Sequence, residues 1–166
     1  MSLVRNLVTF TVLACLVGVS SGAFAYDQDL AASYAKLFAP VAGAKAGKEL
    51  HLMKPEDFVE KIKAGERLVT LDIRTPAEFS IFTSVLPEHL NIPINELFSP
   101  DNLTRIPEDQ AVVVLCKSGT RATAAGTALR HVGFGNVYIL KGGFKALSNY
   151  LDAKTGNTPI AAPTKP

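Results

Sequence analysis

The stretch VVVLCKSGTRATAAG, residues 112–126, holds the side chains of this chain best suited to chemistry. An apolar run ends in a cysteine, Cys116, which is followed by Lys117, Ser118, Gly119, Thr120 and Arg121. The deprotonated form of a cysteine is a soft nucleophile, so the question is what surrounds the sulfur. Gly119 allows the backbone angles of a sharp turn. A tight turn leading into a helix leaves several backbone N–H groups unpaired and directed into a concavity, and such a site favours negative charge. Lys117 and Arg121 add two formal positive charges. The arrangement predicts that Cys116 is stabilised as a thiolate. Its pKa is then expected below the free value near 8.5, in the range of roughly 3.5–7.5 typical of electropositive helix starts. The same cradle should receive a small oxyanion, which points to thiosulfate, phosphate or arsenate chemistry. Arg121 is expected to contact that anion and shape the pocket, while Lys117 leans toward water. The plainer alternatives are a buried, inert thiol and an exposed first-turn arginine.

The elements that must position this loop can be read from the residue pattern. AVVVLC, residues 111–116, is the strongest strand, with three consecutive valines and a leucine suited to burial on both faces. From Thr120 the period changes: Ala122, Ala125, Leu129 and Val132 share one helical face, and Gly133 and Gly135 end the helix. LVTLDI, residues 68–73, is a second buried strand, and Thr75-Pro76 opens a short helical turn. LHLM, LNIPI and NVYIL are shorter strand candidates. Pro55, Glu56 and Asp57 suit the first turn of a helix running through FVEKIKA to Gly65. ELFSPDNLTRIP, broken by two prolines, should form helical turns and loop. Gly142-Gly143 turns the chain into a last helix, FKALSNYLDA. Strands alternate with helices, which predicts an α/β domain with a mainly parallel central sheet and helices on both faces. In such sheets functional groups gather at the carboxyl ends of strands, where Cys116 lies.

The chain of 166 residues suits one ordinary domain, and a hydrophobic fraction of 48% supplies a core without disulfides or metals. A net charge of +2 with no basic cluster argues against a nucleic-acid partner. Residues 1–25 read as an export signal: Arg5 in the n-region, the apolar run LVTFTVLACLVGV, then Ala23-Phe24-Ala25 as the cleavage signature. The apolar run is shorter than the roughly 20 residues that span a bilayer, so no stable membrane span is expected after cleavage. A membrane anchor and a lipid-modified Cys15 are the alternatives. Cleavage predicts an exported protein, in a bacterial periplasm, whose sole remaining cysteine is Cys116. Residues 26–48 are expected to be an extension and linker outside the core, with a short helix in DLAASYAKLFAPV. The compact domain is placed at 49–153 and a disordered, proline-bearing tail at 154–166.

Four segments carry a resemblance in the same order along the chain. CKSGTR resembles the active-site loop of single-domain rhodaneses. LDIRTPAEF is similar to their first signature, LPEHLNIPI to their Pro-x-x-x-Asn-Ile-Pro segment, and NVYILKGGF to their final strand and Gly-Gly turn. The likeness spans about residues 50–151. Two positions depart from the family pattern: Ser84-Val85 stands where Gly-His is frequent, and Phe144 stands where tryptophan usually follows Gly-Gly. Both read as packing differences.

The resemblance implies a single rhodanese-like domain acting as a sulfurtransferase. Cys116 would take a sulfane sulfur from thiosulfate or a similar donor and hold it as a persulfide. Residues 117–121 would bind the donor, and the sulfur would pass to a thiophilic acceptor such as cyanide or a thiol. Such two-step exchange predicts ping-pong kinetics. Neither cofactor nor metal is implied; the partners are a small sulfur-containing anion and the acceptor. Asp72 and Arg74 are expected to form a structural pair near the site, and Glu78 is also read as structural. His51, His89 and His131 lack paired ligand spacing for a metal. A persulfide carrier serving a protein partner would have the same loop. Cysteine-loop phosphatases and arsenate reductases share the fold but place five residues between cysteine and arginine, where this chain has four.

Overall fold

The structure is a computed structural model that describes residues 25–159 except 85 and 87. The expected leader, with Cys15, lies outside the described residues apart from Ala25, as does the tail beyond Pro159.

Five strands form one sheet: β1 (Leu52–Met53), β2 (Leu68–Asp72), β3 (His89–Asn91), β4 (Ala111–Leu115) and β5 (Val137–Leu140). Their order is β1-β5-β4-β2-β3, and every pairing is parallel. The sheet is therefore wholly parallel, where the residue pattern predicts a mainly parallel one. Parallel neighbours need crossover connections, and helices on the sheet faces supply them. The helices are α1 (Gln28–Phe38), α2 (Ala46–Glu49), α3 (Pro55–Lys63), α4 (Pro76–Ile81), α5 (Pro100–Leu103), α6 (Thr120–His131), α7 (Gly143–Tyr150) and α8 (Ala153–Asn157).

Strand β4 lies at the centre, and its residues divide by parity between two cores. Val112, Val114 and Cys116 pack with Ala122, Ala125 and Leu129 of α6. Val113 and Leu115 pack on the opposite face with Phe58 and Val59 of α3 and Phe144 and Leu147 of α7. Side chains alternate between faces along a strand, so the position of Cys116, even-numbered like Val112 and Val114, puts its sulfur under α6. Gly126 lets α6 approach the sheet: a methyl group there would meet Ile139 Cγ1 at 2.5 Å.

Several local expectations change. Val132 follows the last helical residue and is 57% exposed, because the chain leaves the helix there and Gly133, at φ +121°, turns it away from the core. The presumptive linker forms a 3-10 turn over Gly43–Lys45 and then α2. Of LNIPI only Leu90 and Asn91 are strand, in β3 with the preceding His89, since Pro93 cannot donate a ladder hydrogen bond. The region read as a structureless tail begins with α8, whose first turn is capped by the Asp152 side chain on Thr155 N–H at 2.6 Å. Helix α1 buries no residue. It is held to α6 through His131, whose Nε2 lies 2.8 Å from Ser33 Oγ and whose ring stacks on Tyr34 at 3.9 Å. No helix among the described residues is long and apolar enough to cross a membrane.

Candidate active site

Cys116 immediately follows β4, at the carboxyl end of the sheet's central strand. It is a free thiol, 1% exposed, and belongs to the apolar cluster beneath α6. The backbone after it curls back over the sulfur. Gly119 N–H donates to Cys116 Sγ at 3.2 Å. That contact requires a left-handed turn, and Gly119 has φ +89° as the residue preceding α6. Among the described residues, Gly119 N–H is the loop amide that hydrogen-bonds the sulfur.

What holds the loop is the second glycine turn. Phe144 N–H donates to Cys116 O at 2.9 Å, and Lys145 N–H donates to Lys117 O at 3.0 Å. The first turn of α7 therefore hydrogen-bonds the carbonyls of the active loop. The two turns approach so closely that no side chain fits between them. A methyl group on Gly143 would lie 2.2 Å from Cys116 O and 2.8 Å from Gly119 N, and one on Gly119 would lie 2.9 Å from Gly142 N. Sequence reasoning reads Gly142-Gly143 only as the start of a helix. Its role as the buttress of residues 116–119 emerges from tertiary packing.

Lys117, Ser118 and Thr120 are exposed around the loop, and Gly119 is buried. Arg121, in the first turn of α6, is half-buried and turned toward α4. Its Nη1 donates to Glu78 Oε2 at 2.8 Å and its Nη2 to Glu78 Oε1 at 2.7 Å. The residue expected to be the anion contact is therefore already in a bidentate ion pair. Sequence reasoning reads Glu78 only as structural, and it also completes the cap of α4. Its carboxylate accepts from Thr75 N–H and Thr75 Oγ1 at 3.1 Å each, while Thr75 Oγ1 accepts from Glu78 N–H at 3.2 Å. The Arg121 hydrogen bonds, assisted by those from Thr75, outweigh burial and hold the Glu78 pKa down to about 2. The pair with Glu78 raises the Arg121 pKa in turn; burial opposes this, and the nearby Cys116 sulfur adds to it.

Asp72 and Arg74 meet beside this site, at the carboxyl end of β2. Both are buried. Arg74 Nη2 donates to Asp72 Oδ2 at 2.7 Å, Arg74 Nε to both carboxylate oxygens at 3.0 Å, and Arg74 N–H to Asp72 Oδ1 at 3.0 Å. The guanidinium also donates to Phe82 O at 2.9 Å and lies 4.0 Å from the ring centroid of Phe144 and 4.8 Å from that of Phe82. Phe144, the aromatic residue after Gly-Gly, thus covers the buried cation with its ring and holds the Cys116 carbonyl with its N–H. Asp72 also stands opposite Leu115 in the β2–β4 register, and Ile73 N–H donates to Leu115 O at 3.0 Å. The pair fixes the end of β2, the sheet neighbour of the strand that carries Cys116.

Comparison with known proteins places this geometry in context. Residues 54–150 match the family model described as the rhodanese-like domain. A sulfurtransferase of Allochromatium vinosum is 33% identical over 108 residues, covering 65% of this chain and 92% of the relative. The crystal structure of a rhodanese-related protein from Thermoplasma volcanium superposes with a TM-score of 0.51 at 26% identity, covering 67% of this chain and 97% of that one. The human single-domain sulfurtransferase TSTD1, at 21% identity, shares the fold with a TM-score of 0.52 and covers 61% of this chain and 98% of its own.

Proposed function

This chain belongs to the rhodanese-like domain family, and on that premise we propose that it is a sulfurtransferase in which Cys116 carries the transferred sulfur as a persulfide. The observation that carries the reading is the Gly119 N–H placed 3.2 Å from Cys116 Sγ, at the carboxyl end of the central strand. An N–H donor aimed at sulfur supports the negative charge that develops there during transfer.

In the first half-reaction the Cys116 thiolate attacks the sulfane sulfur of a donor, of which thiosulfate is the simplest. A bond forms between Sγ and that sulfur, the donor's S–S bond breaks, and sulfite leaves with the bonding electron pair. In the second, a thiophilic acceptor such as cyanide or a thiol attacks the outer sulfur, and the Cys116 thiolate is the leaving group. This is covalent catalysis in two steps, so ping-pong kinetics are expected. The chain's own residues hold the nucleophile still: Phe144 and Lys145 N–H groups grip the loop carbonyls, and the Asp72–Arg74 pair holds the adjacent strand end. Lys117, exposed on the loop, would meet an incoming anion.

Mass spectrometry after thiosulfate exposure tests the reading. One added sulfur is expected on the peptide containing Cys116, discharged by cyanide over repeated turnovers, and both signals should vanish in Cys116→Ser. Transfer that survives Cys116→Ser removes the mechanism. One stoichiometric loading without turnover would recast the protein as a persulfide carrier.

A further inference from the structure

The two arginines beside Cys116 are each paired with a carboxylate. Arg121 is the cation of the loop closest in character to an anion clamp, yet both of its terminal nitrogens are taken by Glu78, at 2.7 and 2.8 Å. The two side chains are 34% and 31% exposed, so solvent screens the pair only in part. Arg74 is closed on Asp72 and buried. Lys117 on the loop and Lys145, whose N–H bonds the Lys117 carbonyl, are exposed to solvent and screened by it. A bound dianion would therefore meet one carboxylate for one guanidinium, in addition to the negative sulfur it must approach. The Glu78 carboxylate, with a pKa of about 2, stays charged at any working pH. It is also rigidly placed, because Thr75 holds it from the other side.

We propose that Glu78 is a specificity-determining residue of the sulfur-transfer site, which sets the pocket against dianionic donors such as thiosulfate and in favour of donors with one negative charge or none, the organic persulfides. This rests on the sulfurtransferase reading and narrows its donor class. The step for such a donor balances without any further reagent. The Cys116 thiolate attacks the terminal sulfur of R–S–SH, the S–S bond of the donor breaks, and the thiolate RS⁻ leaves with the electron pair. The proton stays on the transferred sulfur. The leaving group then carries one negative charge, where sulfite carries two.

Glu78→Gln removes the charge while keeping an acceptor for Arg121 and for the cap, since glutamine serves the capping box as glutamate does. A unit charge within a few ångströms of a partly buried anion acts more strongly on a dianion than on a monoanion. The expected result is a rise in kcat/KM for thiosulfate of about tenfold, with a change of about threefold or less for an alkyl persulfide. A second readout needs no sulfur transfer: the ratio of Cys116 alkylation rates by anionic iodoacetate and neutral iodoacetamide at one pH should rise in the variant. An unchanged ratio, or an equal rise for both donors, overturns the inference. A wild-type protein that loads no sulfur at all instead defeats the sulfurtransferase reading, and the alkylation ratio then still reports on Glu78. Should Glu78→Gln fail to fold, the wild type supplies the test through salt. Thiosulfate loading should fall by no more than about threefold between about 0.05 and 0.5 M salt, since the unpaired lysines are solvent-screened, whereas a steeper fall would show an uncompensated cationic site and refute the proposal.

Discussion

Replacing Gly143 by alanine tests whether the second glycine turn holds the active loop. Two costs are separable. Gly143 has φ +57°, and a residue with a Cβ loses about 1–2 kcal/mol in the left-handed region. The second cost is spatial. The new methyl carbon would stand 2.2 Å from Cys116 O, against an ordinary carbon–oxygen contact of about 3.3 Å, so the overlap is about 1 Å. The obstructing atom is main chain, and the Phe144 N–H holds it at 2.9 Å, so no side-chain rotation relieves the clash. Overpacking of this kind adds about 1–3 kcal/mol, which brings the total to about 2–5 kcal/mol. Gly65→Ala is the matched control: its φ is +75°, but nothing lies within 4 Å of its added methyl, so it should show the backbone cost alone. Urea denaturation of both variants gives the comparison. Gly143→Ala should be the more destabilising by at least about 1 kcal/mol and should alkylate more slowly at Cys116, because the loop must move to make room. Equal destabilisation with unchanged alkylation would show that the Gly142-Gly143 turn does not support the loop.

Further outcomes follow from the ion pairs. Asp72→Ala should cost about 3–5 kcal/mol in chemical denaturation, because it leaves the Arg74 guanidinium buried with only Phe82 O and two aromatic rings around it; a loss below about 1 kcal/mol would contradict the pairing. The Arg121–Glu78 pair should appear in the acid limb of stability. The Glu78 carboxyl is depressed in the folded protein from 4.5 to about 2, so its contribution is full above 4.5 and is lost as pH falls through about 2. Being partly exposed, the pair should contribute no more than about 1 kcal/mol. The stability difference between wild type and Glu78→Gln, followed by denaturation from pH 6 downward, should shrink across that interval. A difference that stays constant or grows would contradict the sign.

Much of the framework is determined by local pattern. A run of valines makes β4 a strand buried on both faces wherever it is placed, and the alternation of such runs with helix-period segments leaves a parallel sheet as the simple way to bury both. Cys116 at the end of that strand, Gly119 at the turn and the helix from Thr120 are consequences of residue type and spacing along a few neighbouring positions, so they could be read without coordinates. The Asp72–Arg74 pair was expected from the resemblance of LDIRTPAEF to a family signature, not from residue type or spacing alone. What the chain's linear order could not decide is which distant groups meet the loop. Glu78 lies on α4 and Arg121 on α6, and they pair only because β2 and β4 are neighbours in the sheet, which brings the following helices side by side. Gly143 comes within contact distance of Cys116 O only because β5 lies on the other side of β4. Local propensity acts over a few residues, whereas the charge balance and the tightness of this site arise between segments separated by tens of residues, and only the packed sheet determines which of them become neighbours.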